Sequence, residues 1–435
     1  MWRTMWRTCA GILLLFIAIT VASDRDGDGP NTFVFDGAEL LALKQRIVEA
    51  RMRGDERESY HWLLRKAEKA MKRGPFSVMK KPSPPPSGNM HDYESLASFY
   101  WPCNNATLTP GPKCNLTTGL PWVGVDGHHN PYGDRFDRVP MDKMIEAVQI
   151  LGAAYFFSEK EKYGERAALL LRTWFLYSAT WMRPNLNFSS IRMGHNNGSS
   201  SGVIDIHDMY IVVEVASLIV GSKVWTDEDH RELMKWFYEM VHWLVESPFG
   251  QAANLKPNNH GTWSDVIRSS FALFSDDKVV ANETAQGAIS KRIKTQIEPD
   301  GRMPYEESRA DAASYSCMNI RALFNLARLS SFSGVDLFNY TSEDGRGIRK
   351  AFEYLIPFAL GEKPWPYRET NKKFSWGQMY SIFRRAANAY QDRRYEEMIR
   401  QLPSLESDDD NENGFGLPDD YSSYLTNLLF PKQFY

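Results

Sequence analysis

From Met141 onward the chain is one helical segment after another, and that recurrence constrains its architecture more than any other feature. "MDKMIEAVQILGAAYFFS" and "EKYGERAALLLRTWFL" carry apolar residues at helical spacing and read as one hairpin. "HDMYIVVEVASLIVGSKVW" and "DEDHRELMKWFYEMVHWLVES" read as the next, with Thr226 and Asp229 in capping-box spacing ahead of the second helix. "TWSDVIRSSFALFS", "KVVANETAQGAISKRIKTQI", "YSCMNIRALFNLARLSS", "GIRKAFEYLIPFAL" and "GQMYSIFRRAANAYQDRRYEEMIRQL" continue the series. Two more helical stretches, "AELLALKQRIVEARMRG" and "ERESYHWLLRKAEKAMKRG", precede a proline-rich break at 80–90 and an irregular region over 91–140. Period-two alternation is scarce. Paired helices recurring without a sequence repeat predict an all-α fold, an (α/α) toroid or incomplete barrel of hairpins. Long loops at 178–206 and 299–313 would gather at one end of it and form a cleft.

The opening "MWRTMWRTCAGILLLFIAITVAS" sets Arg3 and Arg7 before an apolar run that ends in small residues. That is the order of a secretory signal peptide over 1–23, a membrane anchor being the competing reading. Residues 24–435 then make a single domain, with no membrane partner once the signal is removed. N-x-S/T triplets at Asn105, Asn115, Asn187, Asn197, Asn282 and Asn339 fit an exported, N-glycosylated protein. Cys9 leaves with the signal, Cys103 and Cys114 flank a loop that a disulfide could close, and Cys317 remains as a buried thiol. A net charge of -3 gives no support to a nucleic-acid partner. The 13 Trp, 20 Tyr and 24 Phe supply a core of large side chains and also rings on which sugars could stack.

Common cofactor and nucleophile signatures are missing: there is no HExxH, CxxC, phosphate-binding glycine loop or G-x-S-x-G elbow. "DRDGDG" (24–29) opens like a calcium loop but reaches Phe35 at its twelfth position. "DDNENGFGLPDD" (409–420) comes nearer to one, yet Pro418 and the lack of flanking helices of the right kind favour an acidic loop. His128 and His129 read as a solvated pair rather than metal ligands. No metal or cofactor is therefore expected.

Two stretches hold chemistry. "KPNNHGTWSDV" groups Asn258, Asn259 and His260 at a helix start, with Trp263 one turn on. "PDGRMPYEESRADAASYS" holds Arg302, Glu306, Glu307, Arg309 and Tyr315. Taken singly, each residue has an ordinary reading: Asn259 a helix cap, His260 a core histidine, Arg309 an ion pair with Glu306, Tyr315 core. Together they offer amide, imidazole and guanidinium donors at a helix N-terminus, where anions are favoured, near a phenol able to move a proton.

NNHGTW followed some fifty residues later by PDGR-x-P-x-E-x-x-R-x5-YS resembles the alginate lyase superfamily of helical-toroid polysaccharide lyases. "HDYESLASFYWP" (91–102), "LLRTWFLYSATWMRPNLNF", "GVIDIHDM" and "GRGIRKAFEYLIPF" are similar to further segments of that family in matching order, from about residue 80 to 370. The resemblance implies a lyase acting on an anionic uronate polysaccharide, alginate or glucuronan, by β-elimination. It implies Tyr315 as acid and base, with Asn259, His260 and Arg309 neutralising the carboxylate at C5. His260 as the base, with Tyr315 only the acid, stays open. Asn258, Trp263, Arg302, Tyr93 and Trp101 are candidate substrate contacts, the last two as a lid or stacking platform, although packing beneath His260 is the favoured role for Trp263. A glycoside hydrolase using a carboxylate pair among Glu306, Glu307, Asp205 and Asp311, or a carbohydrate-binding protein without catalysis, are the competing classes.

Overall fold

The computed structural model describes residues 29–370, 374–403 and 422–433. The stretch read as a signal peptide, most of "DRDGDG" and the acidic stretch 409–420 lie outside these residues. Helices dominate: α1 (Gly37–Val48), α2 (Gly54–Ala70), α3 (Arg138–Ser158), α4 (Glu161–Leu171), α5 (Tyr210–Leu218), α6 (Asp227–Glu246), α7 (Pro248–Asn254), α8 (Asn259–Phe274), α9 (Lys278–Ala288), the short α10 (Lys294–Gln296) and α11 (Pro304–Glu307), α12 (Ala312–Ser331), α13 (Ile348–Ala359), α14 (Tyr380–Tyr390), α15 (Arg393–Met398) and α16 (Ser423–Leu429). β1 (Glu94–Leu96) pairs in parallel with β4 (Phe188–Ile191), and β2 (Tyr100–Trp101) pairs antiparallel with β3 (Val123–Gly124).

Local chemistry sets the boundaries. Thr226 Oγ1 accepts from Asp229 N at 3.1 Å, and Asp229 Oδ2 accepts from Thr226 N at 2.9 Å, completing the capping box expected for α6. Pro248 starts α7, where its missing N–H costs nothing, behind Ser247 as cap. Glu159 closes α3 with φ at 54°, the left-handed turn that ends many helices. The segment 377–402 differs from the single helix expected. Gln391 takes φ 51°, so α14 stops there and α15 restarts behind the side chain of Asp392.

Packing closes the helices into a ring. α2 lies against α3, α3 against α5, α5 against α8, α8 against α12, α12 against α14, α14 against α16, and α16 returns to α2. α5 and α8 are buried on nearly every face, whereas α6 and α9 bury one side only. That is the inner and outer layering of an α/α toroid. The N-terminal segment is tied in by buried Glu214, which accepts from the backbone N–H groups of Phe33, Val34 and Phe35 at 2.9–3.2 Å. Cys103 and Cys114 are bridged, with Cα atoms 5.6 Å apart, and Cys317 is a buried free thiol. Among the described residues no helix is long and apolar enough to cross a membrane.

Candidate active site

The start of α8 is shaped by its neighbours. Asn258 is the N-cap in extended backbone, and its carbonyl accepts from Gly261 N at 2.8 Å. Gly261 is required there: a Cβ would sit 2.0 Å from Lys256 O and 2.4 Å from an Arg292 nitrogen. Asn259 is therefore the first helical residue rather than the cap. It is 1% exposed and held at two points by Glu306, through its backbone N and its Nδ2, both at 2.6 Å. Glu306, on α11, is wholly buried; burial pushes its carboxyl up to about 7, against the pull of the two Asn259 hydrogen bonds and Arg309. This acid, expected as a partner of Arg309 or a hydrolase carboxylate, instead fixes the amide beside His260.

Half-buried His260 faces several cations. Burial, then the charges of Lys256, Arg309, Arg138 and His207, push its imidazole down to about 3, so it is neutral at ordinary pH. The side-chain oxygens of Asn258 and Asn259 and Nδ1 of His260 are buried with no hydrogen-bond partner. Buried polar atoms are nearly always satisfied, so three orphans at one helix end mark a place where a ligand completes the network.

Arg309 and Tyr315 join from the α11–α12 loop and the first turn of α12. The guanidinium lies 3.8 Å from the centroid of the Tyr315 ring and is held by Asp126, with Nη2 at 2.7 Å from Oδ1. Asp126 also accepts from Ala310 N at 3.1 Å. Gly127 lets that loop approach, with φ at 78° and a Cβ position only 3.1 Å from Ala310 Cβ. Burial pushes the half-buried Tyr315 phenol up to about 12, opposed by Arg309, so it holds its proton at neutral pH. The charge of Arg138, at the start of α3, reaches both Tyr315 and His260; Arg138 Nη1 donates to Ser98 Oγ at 2.8 Å and lies 3.5 Å from Asp205.

Asn259, His260, Arg309 and Tyr315 thus converge, and the last three reach solvent. Other expected contacts are redistributed. Trp263 is 1% exposed, between the ring of Tyr210 and the edge of His207, with Arg321 4.9 Å over its face. It packs under the site and is not a substrate contact, because helix periodicity turns position 263 inward. Tyr93 is also no platform: it is wholly buried, with its hydroxyl 3.3 Å from Asp205, since the backbone around β1 faces the core. Trp101 is half-buried and donates from Nε1 to His128 O at 2.9 Å, in the loop that carries Asp126. Arg302 is exposed and paired with Asp300 at 2.8 Å, beside Tyr367 and Glu307. Asp205 binds Ser95 at 2.5 Å, Glu307 takes Met303 N at 3.3 Å, and Asp311 takes Thr370 N at 3.0 Å. Glu307 and Asp311 thus brace backbone, and Asp205 braces the side chains of Ser95, Tyr93 and Arg138. His129 pairs with Asp134 at 2.9 Å, and among the described residues no three metal-binding side chains gather. Asp126 and Arg138 join the site without any motif to announce them; His207 lies within the family-like "GVIDIHDM" segment, but nothing in that segment assigns it a role.

Comparisons with known proteins identify the family. A model of the family described as alginate lyase matches residues 77–365. An alginate lyase from Bacteroides ovatus is 32% identical, with a TM-score of 0.79 over 86% of this chain and 96% of its own. Alginate lyase A1-III from Sphingomonas species A1 shares the fold at 15% identity and a TM-score of 0.53, covering 93% of this chain and 97% of its own. A histidine-to-alanine variant of A1-III complexed with a tetrasaccharide aligns with a TM-score of 0.54 at 15% identity, over 83% and 88% of the two chains. No curated protein matches by sequence. This chain belongs to the alginate lyase family and is a polysaccharide lyase.

Proposed function

We propose that the protein is a secreted lyase that cuts a uronate polymer, polymannuronate or glucuronan, at the site formed by Asn259, His260, Arg309 and Tyr315. The carboxylate at C5 lies against Asn259, His260 and Arg309, which offset the second negative charge that develops as the C5–H bond breaks. The electron pair of that bond forms the C4=C5 double bond, and the C4–O4 bond breaks. Tyr315 hands a proton to O4. Hydrogen and leaving oxygen share a face of the ring, so as the phenol gives its proton to O4 the Tyr315 oxygen, stabilised by Arg309 stacked on the ring, takes the C5 proton in its place and ends the step protonated again.

The observation that carries this reading is the Asn258–Asn259–His260 corner, with one unpartnered side-chain atom on each residue, beside the Arg309–Tyr315 stack. Tetrasaccharide complexes of A1-III made with histidine-to-alanine and tyrosine-to-phenylalanine variants support giving the analogous residue types here to the chemistry. Export and glycosylation rest on the signal-like opening and on the six sequons, of which Asn115, Asn187, Asn197, Asn282 and Asn339 are exposed. Purified protein assayed on polymannuronate, polyguluronate and glucuronan, following ultraviolet absorbance of the unsaturated product ring, tests the activity. Absorbance growing on one of these polymers is expected; reducing ends without absorbance would indicate hydrolysis and overturn it.

A further inference from the structure

Beside the proposed catalytic corner two cations meet without an acid. Arg192 follows β4 directly, and Lys256 lies in the turn between α7 and α8. Both donate to one hydroxyl, Ser201 Oγ, Arg192 from Nη2 at 3.3 Å and Lys256 from Nζ at 3.0 Å. Neither has a carboxylate within 4.0 Å among the described residues. The guanidinium of Arg192 lies 5.0 Å from the centroid of the Tyr100 ring, and its Nε is buried with no partner. Both side chains are half-buried.

Three fully buried cations elsewhere are neutralised: Lys81 by Asp137 at 3.0 Å, Arg292 by Asp265 at 2.7 Å and Arg384 by Glu396 at 2.6 Å. Two like charges sharing one neutral hydroxyl repel each other and lose hydration, a cost that an incoming anion would offset. Burial and Arg192 together push the Lys256 ammonium down to about 8. The Lys256 charge also reaches His260, which sets the pair next to the ring being cleaved.

We propose that Arg192, Lys256 and Ser201 form a second carboxylate subsite, which takes the acid group of the uronate adjoining the cleaved residue. This rests on the uronate-lyase reading above. Every sugar of such a polymer carries a carboxylate, so a site for the neighbouring one selects a run of uronates over an isolated unit. The groups facing Lys256 are Arg192, His260 and Arg292, and the last, already paired with Asp265, reaches only the Lys256 carbonyl at 3.2 Å.

The test uses Lys256→Gln and Arg192→Gln in the full chain, with Lys256→Arg as the conservative control. Polymannuronate trisaccharide is the probe, or glucuronan trisaccharide if glucuronan proves to be the substrate. Each variant should raise KM at least tenfold and change kcat less than threefold, and Lys256→Arg should restore KM. Wild-type KM should also climb above about pH 8, a rise that Lys256→Arg abolishes. Unchanged KM, or a fall in kcat alone, would overturn the subsite. Calorimetric binding in the Tyr315→Phe background gives a readout independent of turnover. If no polymer yields unsaturated product while both Gln variants still weaken trisaccharide binding tenfold, the catalytic reading fails and the subsite stands.

Discussion

Two buried polar clusters sit on α8, and they differ in completeness. Toward the helix interior Asp265 accepts from Asn254 Nδ2 at 2.5 Å and from Arg292 Nε at 2.7 Å. Arg292 also donates to Asn254 O at 2.7 Å, and Lys291 closes the group on Asn254 Oδ1 at 3.1 Å. This cluster is saturated. At the N-terminus of the same helix, the side-chain oxygens of Asn258 and Asn259 and Nδ1 of His260 have no partner, although Arg309 and Arg138 nearby are balanced by Asp126 and Asp205. The first arrangement holds the fold; the second keeps two amide oxygens and an imidazole nitrogen open to the hydroxyl groups of a ligand. Orphaned atoms alone do not mark the working end, since Trp263, Ser264, Arg268, Ser269 and Ser270 further along α8 carry them too; what marks it is that they gather beside the Arg309–Tyr315 stack.

Substitutions at the two ends should therefore fail differently. The largest effect is expected from Tyr315→Phe: loss of the phenol stacked on Arg309 should lower kcat by about a thousandfold, while oligouronate binding stays within about threefold, as calorimetry would show. A variant that kept its turnover would end the assigned role. At the closed end Asp265→Ala leaves Arg292 buried and unpaired, which should cost about 3–5 kcal/mol of stability. Denaturant unfolding reads this directly. Residual folded protein should still bind oligouronate, and selective loss of binding in an otherwise stable variant would blur the comparison.

Glu306 lies between the two kinds, closed toward Asn259 but serving the open end. Glu306→Gln replaces a charged acceptor by a neutral one, and because such hydrogen bonds are worth about 1.5–3 kcal/mol, kcat should fall about ten- to a hundredfold. Its pH signature has a definite sign. The buried carboxyl is raised from 4.5 to about 7, so the native state holds the proton more tightly. That stabilising contribution is whole below pH 4.5 and is lost as pH rises through 7, so wild type should lose stability over this interval and Glu306→Gln should lose less. His260 acts in the opposite sense. Its value falls from 6.5 to about 3, the unfolded chain takes the proton first, and stability drops as pH falls below 6.5. His260→Gln should flatten that acid limb in thermal unfolding. The smallest effect belongs to Asp126→Asn. The half-exposed pair with Arg309 is worth about 0.2–1 kcal/mol, so releasing the guanidinium should lower KM by at most a few fold.

Much of this is legible in the order of the amino acids. Apolar spacing marks the helices from α3 to α13, and the Thr226–Asp229 pair marks the start of α6, because both signals are local. The four residues of the proposed site stand out through motif order. What stays hidden depends on side chains that meet across long separations. Asp126 reaches Arg309 over 183 positions, and Glu306 reaches Asn259 over 47. Tyr93 reads as a sugar contact because aromatic rings look alike in a sequence, whether they face a cleft or a core, whereas the packing role favoured for Trp263 follows from its place on a helix. Gln391 adopts a left-handed turn that its residue type does not announce. The nearly all-apolar segment of α5 resembles any buried helix, and its inner place in the ring is set by α3 and α8 on either side.

The account turns on where a uronate carboxylate settles. A crystal structure of Tyr315→Phe soaked with an oligouronate tetrasaccharide tests this most directly. One carboxylate should lie within hydrogen-bonding distance of Asn259, His260 and Arg309, with the scissile oxygen facing residue 315. A tetrasaccharide bound on another face, leaving the orphaned atoms of Asn258, Asn259 and His260 untouched, would contradict it.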